Sequence, residues 1–423
     1  MSLRLLPLLL LVCFIYPFSS ASAATQDPPS DSEAIKQAAP TVYMDCSSCD
    51  MTYIRTEIEF VNYVRDQKDA QVYVMVTTQS TGSSGREYTL EFTGQKEFEG
   101  TDNTLKYITG NTDTSDEIRE GFVRILKIGL APYAGKTPIA DRITVSYKDA
   151  DTVRTDSVDD KWDYWVFSLG GNAYFDGQKS SRSYSFNASF SANRVTEDFR
   201  FRLYYSGSRS TDRYSYGDIK QTNTRKSHNL NMIAVKSISD HWSVGVSSSA
   251  YSYTYSNIKF RFNLAPAVEY NFFPYSESTR RQLRFLWRPG ISAYYYHEET
   301  IYDKTEEKLW SEQFSAAFEM KQKWGTASTG FGFSHYFHDL KKNQMSIDMN
   351  LSIRLFKGLS FNIYGYFQRI RDQLSLRKGE ISEADLLLQR IQLETNYNYY
   401  ARIGLSYTFG SIYSNVVNPR FGY

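Results

Sequence analysis

Residues 184–192 read Tyr184-Ser-Phe-Asn-Ala-Ser-Phe-Ser-Ala192. Rings and alanine hold one phase and Ser or Asn the other, and side chains on a strand alternate between its two faces. Such a strand has one face suited to an apolar surrounding and one suited to water. The same period recurs along the chain, as in Phe199, Phe201, Leu203 and Tyr205, or Met345, Ile347, Met349, Leu351, Ile353 and Leu355. From Trp165, Phe167 and Leu169 to Ile403, Leu405, Tyr407 and Phe409, about twelve such segments, separated by polar turns, fill residues 161–410.

A soluble sandwich also alternates, but its strands usually run about five to six residues. Here the apolar phase persists for about nine to eleven, the length that crosses a bilayer at a steep tilt. Trp162, Tyr164, Trp165, Trp242, Trp310 and Trp324 gather at segment ends, as interfacial girdles do. The 423 residues include 34 Tyr and 27 Phe, yet the mean hydropathy is −0.48. That combination excludes a helical membrane protein and predicts an antiparallel transmembrane β-barrel of about 12 strands.

The last segment carries a resemblance. Arg402-Ile-Gly404-Leu-Ser-Tyr407-Thr-Phe409 resembles the β-signal of bacterial outer-membrane β-barrel proteins, with Arg402, Gly404, Tyr407 and Phe409 at its polar, glycine and aromatic positions. The resemblance implies the Gram-negative cell envelope, outer-membrane lipid as surroundings and the barrel-assembly machinery as a partner during biogenesis. It departs from the commonest form in that residues 411–423 follow, expected as a tail returning to the periplasm.

The other end of the chain agrees with export. Residues 1–23 place Arg4 before an uncharged run to Phe18 and small residues up to Ala23, the pattern of a cleaved signal peptide. Residues 24–40 read as a flexible leader and 149–160, rich in Asp, as a linker. Formal net charge is +1, which gives no reason to expect nucleic acid.

Residues 41–148 have mixed periodicity. Thr41–Cys46 reads as a strand, and Ile54, Ile58, Val61 and Val64 follow at helical spacing. Strands are expected at Val72–Val76, Tyr88–Phe92 and Leu105–Ile108, and a second helix at the capping-box pattern Thr114-Ser-Asp-Glu117. Ile118, Phe122 and Ile125 form its apolar face, Pro132 and Gly135 end it, and Ile143–Tyr147 is a closing strand. The order β-α-β-β-β-α-β resembles the N-terminal domain of TolB in element order alone. The whole is then an α+β multidomain chain, a small periplasmic α/β domain followed by a barrel.

Few residues suggest chemistry. Cys46 and Cys49 are candidates for a structural disulfide in an oxidising compartment; a redox pair and a metal or intermolecular role stay open. Asp45 and Asp50 beside them would raise a thiol pKa, which opposes nucleophilic use. His241 and Ser243 are the nearest match to an outer-membrane phospholipase, but Ser243 shares the polar phase with Gly245 and Ser247. His335 lies in the apolar phase between Phe333 and Phe337 with no serine placed to use it.

Arg200, Arg202, Lys259, Arg261, Arg284, Arg288, Arg354 and Arg402 fall in the polar phase, against Glu269, Glu319 and Asp348. The first reading is a lumen that selects anions, through Arg200, Arg202, Arg261, Arg284, Arg288 and Arg354. The second is a small barrel filled by Arg–carboxylate networks. The long 376–395 segment could plug the barrel or bind outside it. Sequence favours no enzyme and no cofactor, but a barrel anchoring residues 41–148 for a periplasmic protein partner, with a passive channel as the alternative.

Overall fold

The computed structural model describes residues 35–82, 85–146, 161–379, 392–415 and 420. The expected signal peptide, most of the leader, the linker and the middle of the 376–395 segment lie outside the described residues.

The small domain runs β1 (Thr41–Asp45), α1 (Met51–Glu57), β2 (Asn62–Tyr63), β3 (Val72–Ser80), β4 (Arg86–Gly94), β5 (Asn103–Thr109) and α2 (Ser115–Ala134). Its five-stranded sheet has the order β2-β1-β3-β4-β5, with β1 parallel to both β2 and β3 and the remaining pairs antiparallel. β4 shows why: Tyr88, Leu90 and Phe92 alternate onto one face and are buried there, together with Leu126 and Leu130 of α2. A Cβ on Gly129 would lie 2.0 Å from Cζ of Phe92, so only glycine lets α2 lie this close to the sheet.

The capping box forms as expected: Thr114 accepts from the Glu117 N–H, and the Glu117 carboxylate accepts from the Thr114 N–H. Several expectations need correction. The first helix stops at Glu57 rather than continuing to Val64. The β-branched and aromatic run beyond it is extended, and Asn62–Tyr63 pairs with β1. Pro132 lies inside the last turn of α2 rather than ending it, and Gly135 caps the helix.

Residues 143–146 form no strand; a short 3-10 helix, Pro138–Arg142, precedes them. The element order that carried the likeness to TolB is therefore not the observed one. At the end of the expected leader the Asn62 amide donates to the carbonyls of Lys36 and Ala39, and Ala39 and Pro40 are buried while residues 36–38 are exposed.

Beyond the linker, twelve strands form one antiparallel meander. They are β6 (Trp165–Gly177), β7 (Ser181–Val195), β8 (Phe199–Tyr216), β9 (Ile219–Ser237), β10 (Trp242–Tyr253) and β11 (Ile258–Asn271). Then come β12 (Arg281–Tyr296), β13 (Glu306–Gln322), β14 (Gly325–Tyr336), β15 (Asp339–Phe356), β16 (Leu359–Ile370) and β17 (Tyr397–Tyr407).

Every periodic segment found in the sequence lies on one of these strands, except that Phe409 falls just past the end of β17. Short turns fix the register, so that Phe314 of β13 faces Phe333 of β14 across the tight Lys323-Trp324 turn. The apolar phase is exposed on one face: Phe260, Phe262, Leu264 and Val268 of β11 stand beside Trp287 of β12.

Closure of the expected barrel is not seen among the described residues. Among the described residues β6 and β17 do not pair, and both remain edge strands, with Leu169 85 % and Ile403 70 % exposed. What the chain forms is a twelve-stranded sheet with one apolar and one polar face.

Candidate functional site

The small domain meets the end of the large sheet formed by the β11–β12, β13–β14 and β15–β16 turns, called the near end below. Arg354, two residues before the end of β15, sets the centre of the contact. Its guanidinium donates to the Asp45 carboxylate at 3.0 Å and to the carbonyl of Lys323 at 3.2 Å, and it lies over the Tyr43 ring at 4.9 Å. Asp45 also accepts from the Tyr73 hydroxyl at 2.6 Å.

Around this centre the Lys357 ammonium pairs with Asp69 at 2.7 Å, the Gly358 N–H donates to Asp66 at 2.9 Å, and Arg280 pairs with Glu91 at 3.1 Å. The small domain supplies every carboxylate and the sheet every cation. Burial pushes the Tyr43 phenol up, partly offset by the Arg354 charge.

A second link comes from the end of the chain. Past β17 the chain turns back onto β2, the outer strand of the small sheet. Arg65 N–H donates to the Ile412 carbonyl at 3.0 Å, Ser414 N–H to the Tyr63 carbonyl at 2.9 Å, and Val64 bridges Tyr413 in antiparallel sense. The Asn415 side chain completes the pairing, donating to Oδ1 of Asn62 at 2.8 Å and accepting from the Tyr63 N–H. The expected free tail is thus, over residues 412–415, a strap along an edge that would otherwise expose unpaired backbone groups.

Between strap, near end and small domain lies a cleft of about 1090 Å³. Lys36, Arg55, Tyr63, Arg65, Asp66 and Phe356 are among the residues on its walls.

At the far end, the connection after β16 folds back over the polar face. Leu374 is buried among Tyr294, Tyr296, Leu309 and Tyr336, and the Tyr294 and Tyr336 hydroxyls meet at 2.7 Å. Leu376 accepts from the Ile301 N–H at 2.9 Å, and Arg377 reaches the Thr254 carbonyl at 3.1 Å and Glu298 at 3.0 Å. Residues 371–379 therefore lie across the polar face from β16 to the β10–β11 and β12–β13 turns.

The six arginines singled out as a selectivity element do not gather. Arg200 and Arg202 lie at the near end of β8, Arg202 packed 5.8 Å from the Tyr204 ring. Arg261 sits toward the far end over the Tyr294 ring at 4.9 Å. Arg284 lies 3.7 Å from Glu269, and Arg288 is mid-strand with its Nε unpartnered among the described residues. Arg354 belongs to the interdomain contact, because strand phase fixes the face a residue takes but not the height at which it stands.

Cys46 and Cys49 are joined as a disulfide, their Cα atoms 5.6 Å apart, immediately before α1, whose first turn is capped by Asp50 through the Tyr53 N–H. Arg402, Gly404 and Tyr407 lie on β17, the edge strand whose outer side has no partner among the described residues, with Phe409 just past it. His241 and Ser243 have separate partners, the Asn271 carbonyl at 2.8 Å and the Tyr275 hydroxyl at 3.1 Å, so they form no dyad.

His335 does have a partner that sequence reading missed. Its Nε2 is 2.8 Å from Glu312, which also accepts from the Trp287 indole at 3.0 Å. Both residues stand equally far from the Lys323-Trp324 turn, so a tight hairpin centred there would have placed them opposite each other.

No known protein family matches this chain, and no curated protein does. Among solved structures the NanC porin is similar at a TM-score of 0.26 and 11 % sequence identity, over 57 % of this chain and 99 % of that one. A superposition this loose adds nothing to the strand pairing, which by itself defines the twelve-stranded antiparallel sheet.

Proposed function

We propose that the twelve-stranded sheet closes into an outer-membrane β-barrel that carries the small domain on its periplasmic end, in a structural or adaptor role without an enzymatic step. The membrane part of this reading is supported by the exposed apolar phase on strands of 11 to 19 residues, since a water-soluble protein rarely leaves so large an apolar face uncovered. Export by residues 1–23, contact with outer-membrane lipid and recognition of Arg402, Gly404, Tyr407 and Phe409 by the assembly machinery belong to the same reading.

The adaptor role is carried by one observation, the fixed attachment of the small domain through Arg354, Lys357, Gly358 and Arg280 and through the strap. A domain held in one orientation beneath a membrane presents a defined surface to a periplasmic protein. Its other sheet edge, β5, is unpaired among the described residues, and Ile108 on it is 61 % exposed.

A passive anion channel is the second reading, favoured by Arg200 and Arg202, which have no ion pair among the described residues. Planar-bilayer recording on the full chain, folded and shown to shift on heating in electrophoresis, separates the two. The adaptor reading expects no steady current, because residues 371–379 cross the polar face. Stable anion-selective steps from the intact chain would overturn it in favour of the channel.

A further inference from the structure

We propose that the cleft between the small domain, the near end of β15 and β16 and the C-terminal strap binds a small polyanion, a molecule bearing two or more carboxylates or phosphates. This goes beyond the anchoring role, which requires only that the two parts stay together.

Three observations converge on it. The first is space: about 1090 Å³ is ample for a ligand of several hundred daltons. The second is charge. Elsewhere along the contact Arg280, Arg354 and Lys357 of the sheet each meet a carboxylate of the small domain, but Lys36, Arg55 and Arg65 line this cleft with no ion pair among the described residues. The carboxylate of Asp66, also on the wall, is already engaged by the Gly358 N–H.

The third is a pair of unsatisfied polar atoms. Tyr63 is only 2 % exposed, yet among the described residues its hydroxyl has no hydrogen-bond partner, and Nε of Arg55 also has none. Buried polar atoms are normally paired, and an orphan of either kind costs stability unless something else satisfies it.

The two orphans are electrostatic neighbours, because the Arg55 charge is what opposes the upward push of burial on the Tyr63 phenol. Both residues stand on the wall of the cleft. Arg55 and Arg65 then supply charge-assisted hydrogen bonds, with the flat guanidinium geometry that suits carboxylate and phosphate. The rings of Tyr43, Tyr413 and Phe356 on the same walls offer apolar surface to whatever carries the anionic groups.

The test uses the full chain folded in detergent, with citrate and inorganic pyrophosphate as probes and a neutral disaccharide as control, read by titration calorimetry. The expected result is one site per chain for at least one probe and none for the disaccharide. A citrate-only response assigns carboxylates and a pyrophosphate-only response assigns phosphates.

Arg55→Gln and Arg65→Gln should each weaken binding at least about tenfold, the value of one lost charge-assisted pair. Lys106→Gln, far from the cleft and paired with Glu87, should leave it unchanged. Tyr63→Phe separates a ligand role from a structural one, since it should weaken binding without lowering the melting temperature of the unliganded protein. No heat with either probe, equal binding of the disaccharide, or unchanged affinity in both arginine variants would overturn the proposal. Those outcomes are independent of any conductance, so the membrane reading is judged separately.

Discussion

The Arg354 guanidinium, near the end of β15 on the large sheet's polar face, lies 3.0 Å from the Asp45 carboxylate at the end of the small domain's first strand. Both side chains are about two-thirds buried, with 29 % and 31 % of their surface accessible. The pair is therefore only partly screened by water. Arg354→Ala should cost about 1.5–3 kcal/mol, the range for hydrogen bonds to charged groups, and leave Asp45 without its cation. The check is a double-mutant cycle with Asp45→Asn, followed by denaturant unfolding of the small domain. Additive losses would show that the two side chains do not act together.

Ending the chain at Gly410 removes the strap from β2. Amide exchange should then accelerate at Tyr63 and Arg65, whose N–H groups donate to Asn415 and Ile412, while Val64 keeps its protection because its N–H donates inward to Val42. Leu90, in the middle of the small sheet, serves as the internal reference. Acceleration spread evenly over all three residues would mean general loosening of the domain rather than loss of one strand.

Reducing the Cys46–Cys49 bond opens a loop with a sequence separation of 3. So small a loop removes little freedom from the unfolded chain, and the entropic loss is about 2 kcal/mol. Cys46→Ser with Cys49→Ser should lower the unfolding free energy of the small domain by that amount and leave the large sheet's heat-shift in electrophoresis unchanged.

Alkaline pH should destabilise the small domain through Tyr133. Its phenol is buried and pushed up to about 12 by that burial, whereas in the unfolded chain it titrates near pH 10. A raised folded value means the contribution is fully present below about pH 10 and is lost as pH rises toward about 12. Tyr133→Phe should flatten part of that decline, measured by urea unfolding across the alkaline range. Tyr63 and Tyr73 are raised in the same direction by burial, so some decline remains.

The strands of the large sheet were legible because period-two alternation is a local signal that short turns convert directly into register. The capping box at Thr114 was legible for the same reason. Contacts made across long separations were not. Arg354 shows its phase in the sequence but not its neighbour, and nothing near Ile412 marks it as a partner for Arg65. The stretch Ile58–Val64 misled because its apolar residues fit a helical period, while pairing with β1 settled the conformation of Asn62 and Tyr63. Of the candidate site, the cysteines were found from their spacing, whereas the cleft is assembled from segments at both ends of the chain.

Asn62 and Asn415 are hydrogen-bonded across a sequence separation of 353. The polypeptide is thereby drawn into a ring, with almost everything between them forming its circumference. Synthesis delivers the small domain first, but its outermost strand stays uncovered until the last residues emerge and reach it. A chain stalled in the large sheet keeps that edge bare.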